Sequence, residues 1–232
     1  MSVLLHTPAL NVYEHMALDE QWVIRYPQEI MLRFYNWTSA PAVTFGYAQF
    51  VSEVRRTLSA QSFAGDYTRR PTGGGVVFHT DDLTFSLVFS FPGRPAEIYR
   101  QLHTAIWAQL DRAGVGGRVV DTVLPAAAYA PSSNHQASAC FIRPVENDLL
   151  AADGRKMLGG AIRRFGTTVL YQGSLQQPGA RKNPLFKRAV IEAVRFFLAT
   201  DLRPVSCEAA TLAAAREQAV SIYKQRAWVE KF

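Results

Sequence analysis

The sequence predicts an α+β domain: a mixed, largely antiparallel sheet with flanking helices. Three observations predict it. The 232 residues, 48% of them hydrophobic, are enough for one large domain with a well-buried core. Strand-like runs come in pairs joined by tight turns, rather than alternating one to one with helices. No internal repeat or low-complexity linker divides the chain, so residues 1–232 are expected to form a single domain.

The elements follow in order. Residues 12–26 read as an amphipathic helix with Asn11 as its N-cap. Residues 30–37 and 42–47 read as strands separated by Thr38, Ser39, Ala40 and Pro41. Residues 52–64 are expected to be helical. Residues 66–70 are extended, because Pro71 disfavours helix at Arg70. Gly73, Gly74 and Gly75 make a turn, and 76–91 supply two strands with Asp81 and Asp82 near the corner. Residues 95–114 give the clearest helix: Ile98, Leu102, Ile106 and Leu110 recur at near-helical spacing, and Gly114 is the stop. Residues 122–137, rich in Pro, Ser and Asn, read as a loop. Three strands fill 147–175, with turns at Asp153-Gly154 and Phe165-Gly166. Helices over roughly 183–199 and 207–222 finish the chain.

Composition narrows the function classes. A net charge of +6 steers acidic partners, nucleic acid or an acidic carrier protein among them. No basic helix and no aromatic RNA-binding signature accompanies the charge, so nucleic acid is not expected as a partner. The pairs Arg55-Arg56 and Arg181-Lys182 read as solvated surface. No window approaches twenty apolar residues, so no membrane span is expected. Nor does the N-terminus read as a secretion signal. Cys140 and Cys207 lie too far apart to suggest a disulfide framework. A reducing cytoplasm is therefore expected.

Three segments carry candidate chemistry. In RRPTGGGVVFH (69–79) the glycines open a strand and no lysine follows. A Walker loop and a dinucleotide fingerprint both need a helix there. What remains is a plain glycine hairpin, or a backbone with no Cβ on which a ligand can lie, its N–H groups on a carbonyl or phosphate oxygen. His79 follows four residues after Gly75, and the other histidines show no metal-ligand spacing with it. Cys140, in SACFIRP, is either a small buried hydrophobe or, given a neighbour that accepts its proton, a nucleophile. Cys207 reads as structural, at a helix start. Lys156, in DGRKMLGGAIRR, follows a tight turn where lysines are usually solvated. Yet Gly159, Gly160 and Ala161 come next, so two small-residue stretches near cations are candidates for two walls of one pocket.

Taken together, these segments resemble the biotin/lipoate protein ligase and octanoyltransferase superfamily over nearly the whole chain. The resemblance rests on MALDE (16–20), LRFYNWTSAPAVTFGYAQ (32–49), RRPTGGGVVFHTDDLTFSLV (69–88), GRKMLGGAIRR (154–164) and YQGSL (171–175), in that order. The glycine-rich segment is the most specific match. The resemblance implies an α/β fold like the catalytic core shared by biotin ligases and class II synthetases. It also implies a role in protein lipoylation, placing an octanoyl or lipoyl chain on a lysine of a lipoyl domain. Arg70, Thr72, Gly73, Gly74, Gly75 and His79, with Gly159, Gly160 and Ala161, would bind the substrate. Lys156 would contact the acyl carbonyl or an acyl-adenylate.

The resemblance also bears on the chemistry. One branch of octanoyltransferases carries its nucleophile in a segment similar to Ala139-Cys140-Phe141-Ile142-Arg143-Pro144, which lies sixteen positions before Lys156. DDLTFS (81–86) is closer to the transferase version. Asn147-Asp148-Leu149 is similar to a ligase motif, and the triple glycine is compatible with ligases. Only two helices follow the core, and no C-terminal accessory domain is expected. The favoured reading is a cysteine-dependent octanoyltransferase, with Cys140 and Lys156 catalytic and no cofactor or metal. Its donor would be an octanoyl acyl carrier protein. Its acceptor would be a lipoyl domain, such as the glycine-cleavage carrier or a 2-oxoacid dehydrogenase subunit. The alternatives are an ATP-dependent lipoate ligase using ATP and Mg, and a non-catalytic acyl-binding module of the same fold. Biotin transfer fits the lysine and cysteine segments less well.

Overall fold

In chain order, the computed structural model, which describes residues 1–38, 40–120 and 145–232, runs β1 (Ser2–His6), α1 (Val12–Arg25), β2 (Ile30–Phe34), β3 (Ala42–Phe45), α2 (Val51–Ala60), β4 (Tyr67–Arg69), β5 (Val77–His79), β6 (Leu83–Ser90) and α3 (Pro95–Arg112). It continues with β7 (Gly117–Val119), β8 (Leu149–Ala151), β9 (Lys156–Phe165), β10 (Thr168–Leu175), α4 (Pro184–Leu198), β11 (Arg203–Ser206), α5 (Ala209–Gln218) and α6 (Arg226–Val229). A single π-helical turn, Ala219–Tyr223, joins the last two helices.

The described strands form two sheets. The larger has the order β11-β1-β2-β6-β10-β9-β8-β7, and the smaller the order β4-β3-β5. Only β11-β1-β2 and β3-β4 pair in parallel. The mixed, mostly antiparallel expectation holds, but the strands before and after the glycine turn belong to a separate small sheet. Three short strands escape the sequence reading. β11 carries Pro204 and closes an edge, where a proline costs the ladder least. β7 is only three residues long at the other edge. β1 is a five-residue segment whose alternation is too brief to stand out.

Burial follows the pleat. Val169, Tyr171 and Leu175 pack with α3 and α4, while Leu170 packs with Trp22 and Val23 of α1. Alternate residues of β10 thus face opposite helical layers. Ile98, Leu102, Ile106 and Leu110 are all in the core, as their spacing predicts. Asn11 caps α1 by accepting from the N–H groups of Tyr13 and Glu14, and Glu14 returns a bond to the Asn11 N–H. The predicted turns at Gly154 and Gly166 have φ of +81° and +63°, which glycine adopts without strain.

The expected boundaries shift in three places. α2 stops at Ala60, before a turn through Ser62. β2 ends at Phe34, and Trp37 leaves the sheet to bridge Leu10. The last predicted helix splits into α5 and the π turn, which docks the C-terminal segment on the small sheet. Arg69 holds that segment: its guanidinium donates to the carbonyls of Trp228 (3.0 Å) and Val229 (2.9 Å), and to those of Tyr47 and Gln49.

Candidate active site

A pocket opens where the small sheet faces β6, β9 and β10. Thr44 and Arg70 come from the small-sheet side, His79 from the end of β5, and Gln172 and Ser174 from β10. Gly159, Gly160 and Ala161 of β9 give it a wall of small residues. The β9–β10 register sets that wall: Gly159 pairs with Ser174, Gly160 with Gly173 and Ala161 with Gln172. Gly160 has a packing role too, since a Cβ there would overlap the Tyr171 ring. The pocket, partly open to solvent, has a volume of about 30 Å³, room for one or two waters.

Sequence reasoning expects the glycine run itself to line the site. Arg70 and His79 do line it, but Gly73, Gly74 and Gly75 are not among its described lining residues. The run is held from behind instead. Arg70 donates from Nε and Nη2 to the Gly73 carbonyl (3.1 and 2.7 Å), and from Nη2 to the Gly75 carbonyl (2.9 Å). Gly74 sits at φ +87°, and its carbonyl lies so close to Gly46 that a Cβ on Gly46 would overlap it. Thr72 donates to Gln172 Oε1 at 2.6 Å, tying the loop to β10. The local reason is chemical: a turn that folds back on itself leaves carbonyls without N–H partners, and a planar guanidinium supplies donors in a fork.

His79 is buried, with its ring stacked on Trp37 at 4.8 Å. Its Nδ1 lies 3.0 Å from Asp82 Oδ2, and its Nε2 lies 2.9 Å from Thr44 Oγ1. The same Asp82 oxygen accepts from Thr84 (2.7 Å) and Ser174 (2.6 Å). Burial alone would raise the Asp82 pKa. The His79 charge and the hydrogen bonds from His79, Ser174 and Thr84 outweigh it and hold the carboxyl below its ordinary value.

Lys156 contradicts the simple picture of a solvated lysine after a turn. Its side chain is 4% exposed, and Nζ lies 2.8 Å from Asp148 Oδ2. Burial raises the Asp148 pKa, against the opposing pull of the lysine. The structure puts Lys156 in an adjacent polar cleft with Asp82 and Gln176, not in the small-residue pocket. The two spaces share a partition, because Ser174 of the pocket hydrogen-bonds Asp82 and receives a bond from Gln176 at 2.9 Å. On the α3 side of the sheet, His103 donates to the Asn147 carbonyl (2.6 Å) and accepts from Tyr171 Oη (2.7 Å). Burial pushes its pKa down to about 4.

A buried polar network went unassigned by the residue-level reading. Asp19 of MALDE receives Arg33 (Nε 2.7 Å), Ser86 (2.7 Å), Gln172 (2.7 Å) and the Tyr35 hydroxyl. Arg33 also donates to His15 Nδ1 at 2.9 Å, and burial with the Arg33 charge holds His15 neutral. Tyr35 and Gln172 reach the pocket wall, so the network fixes the side chains that shape it. Its only trace in the sequence is that Asp19, Arg33, Tyr35, Ser86 and Gln172 fall in segments carrying the family resemblance, with His15 one residue before the first of them.

Cys140 lies outside the described residues. Cys207 is half-buried, with its thiol pKa pushed up by burial. Among the described residues, no group of three or more His, Cys, Asp or Glu is placed to hold a metal ion. No described helix is long and apolar enough to cross a membrane.

Comparison with known proteins adds the family context. The family described as lipoyl protein ligase A/B catalytic domain matches residues 11–180. Octanoyltransferase LipM of Symbiobacterium thermophilum is 34% identical over 170 residues, 70% of this chain and 60% of that protein. The Bacillus subtilis protein of the same name is 28% identical over 179 residues, 73% of this chain and 61% of that protein. The chain thus spans about 60% of the length of the curated relatives it matches. Protein Ta0514 of T. acidophilum, solved with bound lipoic acid, superposes with a TM-score of 0.76 at 20% identity, covering 100% of this chain and 98% of that one. Lipoate-protein ligase A bound with ATP gives 0.75 at 21% identity, covering 99% of each chain. At such identities these two likenesses establish the fold, a mixed α/β core with flanking helices.

Proposed function

Because this chain belongs to the lipoyl protein ligase A/B catalytic domain family, we propose that it transfers an octanoyl group from an acyl carrier protein, through an acyl-cysteine on Cys140, to a lysine of a lipoyl domain. The observation that carries the reading is the likeness to curated octanoyltransferases over 70% of the chain. The pocket geometry is compatible with it. A wall of Gly159, Gly160 and Ala161 lets an alkyl chain lie close to β9, and Met16 and Val77 add apolar surface to the lining. With a pocket of about 30 Å³, the lining side chains must move apart as the chain enters. Residues 1–232 act as one catalytic domain in this reading.

In the first step, the Cys140 thiolate attacks the donor thioester. The new C–S bond forms as the carrier thiolate leaves and takes a proton. Lys156, already positive against Asp148, stabilises charge building on the carbonyl oxygen. In the second step, the acceptor amine attacks the acyl-cysteine, an amide forms and Cys140 is released. Exchange between thioesters is nearly isoenergetic and the amide step runs downhill, so neither ATP nor a metal is required. The net charge of +6 steers acidic donor and acceptor proteins.

The ligase alternative needs ATP and Mg and draws on the Asn147-Asp148-Leu149 segment. Intact mass of a lipoyl domain after incubation with octanoyl carrier protein separates the two. The transferase reading expects an octanoyl gain without ATP that is abolished by Cys140→Ser. A gain seen only with free lipoate plus ATP would overturn it. Tight acyl binding with no transfer of either kind would make the protein a binding module.

A further inference from the structure

An octanoyl chain needs more room than the pocket has. A volume of about 30 Å³ holds one or two waters, not eight carbons. Some lining group must yield, and the hydrogen bonds decide which. Arg70, Thr44 and His79 are tied to one another, to the glycine turn and to Asp82. Thr84 and Ser174 both donate to Asp82. Gln172 is gripped by Thr72 (2.6 Å), Asp19 (2.7 Å) and Tyr35 (3.1 Å). Tyr35 in turn donates to Asp19 and stacks on His15, with ring centroids 4.2 Å apart. The glycines and Ala161 belong to the β9–β10 ladder. Val77, in β5, is branched at Cβ and therefore stiff. Among the described lining residues, that leaves Met16.

Met16 has the chemistry to yield. Its unbranched thioether side chain adapts to irregular space by rotation. It is buried on α1, and its described polar contact is weak: Gln172 Nε2 donates to Sδ at 3.5 Å while also serving Asp19. It shares a cluster with Ala215 of α5 and Ala219 of the π turn, both small.

The sheet register gives its place along the pocket. Gln172 and Ser174 lie on one face of β10, about 7 Å apart. Ala161 and Gly159 stand opposite them on β9. Ser174 borders the Lys156 cleft through Asp82 and Gln176, whereas Met16 touches Gln172. The small-residue wall therefore runs from the Lys156 end to the Met16 end. A chain with its carbonyl at Lys156 points its last carbons at Met16.

We propose that Met16 is a movable plug that sets the length of acyl chain this protein accepts. It swings aside to admit the far end of the chain, and the space it then leaves limits the number of carbons. The proposal rests on the acyl-transfer reading above. Met16 determines specificity and takes no part in the chemistry. A shorter side chain there lengthens the channel. A stiff one of similar bulk keeps it shut.

The test is a competition. Equal amounts of hexanoyl, octanoyl and decanoyl carrier protein are offered with a lipoyl domain, and intact mass of the acceptor counts the three products. Met16→Ala should raise the decanoyl-to-octanoyl ratio about 10-fold or more over wild type. Met16→Ile should lower the octanoyl-to-hexanoyl ratio by a similar factor. Should Met16→Ala fail to fold, Met16→Val, which removes the thioether end and keeps part of the packed stem, reads the first ratio. Wild-type ratios in the folded variants, or an equal loss for all three chains, overturn the plug and leave the transferase reading standing. If the wild-type protein acylates the acceptor only from free acids plus ATP, the transferase reading falls, and the same ratios read with those acids decide on Met16. A wild-type protein that transfers no chain by either route overturns both.

Discussion

Lys156 and Asp148 show how a residue's position can reverse its plain reading. A lysine two residues after a turn glycine is ordinarily solvated, yet here the ammonium is buried at 2.8 Å from a buried carboxylate. Breaking such a pair from one side leaves an uncompensated charge, which costs about 3–5 kcal/mol. Lys156→Met is therefore expected to lower stability by that order. The double variant Lys156→Met with Asp148→Leu should regain much of the loss. Denaturant melts of the two variants check this, and equal destabilisation would contradict the pairing. The type and place of Lys156 were legible from the motif. Its burial was not, because the partner is eight residues upstream on the far side of a turn and burial depends on the layer above. Asp19 was legible in the same partial way: MALDE marked the segment, and only the fold reveals that its carboxylate gathers Arg33, Tyr35, Ser86 and Gln172.

At the scale of elements, the glycine segment is better described as a braced turn than as a bare cradle. Arg70 holds its carbonyls from one side and Gly46 gives it room on the other. Gly46→Ala places a methyl group on the Gly74 carbonyl, a backbone atom that cannot step aside. Overpacking of this kind costs about 1–3 kcal/mol, and the loop must shift. Thermal denaturation should show the loss, and transfer activity should fall with it. A variant that melts and turns over like wild type would contradict the brace. Hairpins and amphipathic helices were readable because their signals are local: turn glycines at Gly154 and Gly166, and the four-residue spacing along α3. The edge strands β1, β7 and β11 were not, since a strand of three to five residues is defined by the neighbour it pairs with. The division into two sheets was hidden for the same reason, as pairing across sequence gaps has no periodicity of its own.

For the whole molecule, buried histidines make stability depend on pH. His103 is held down to about 4, against 6.5 for a free imidazole. Because the folded value lies below the unfolded one, the unfolded chain takes up the proton first on acidification. The stabilisation is present above pH 6.5 and is lost as pH falls towards 4, roughly 3 kcal/mol in all. His15, also held low by burial and by Arg33, acts in the same direction. The melting temperature should therefore fall between pH 6.5 and 4, and His103→Gln should flatten that fall. An unchanged slope in the variant would contradict the assignment. The overall architecture was legible because several ordered segments agreed on one family, while the placement of Cys140 lies outside the described residues. The central claim, that Cys140 carries the acyl group, is tested most directly by mixing the protein with octanoyl carrier protein, without ATP or acceptor, and weighing it intact. The account predicts a thioester-labile octanoyl adduct that maps to the Cys140 peptide and is absent in Cys140→Ser. An unmodified wild-type protein, or an adduct that persists in Cys140→Ser, would contradict it.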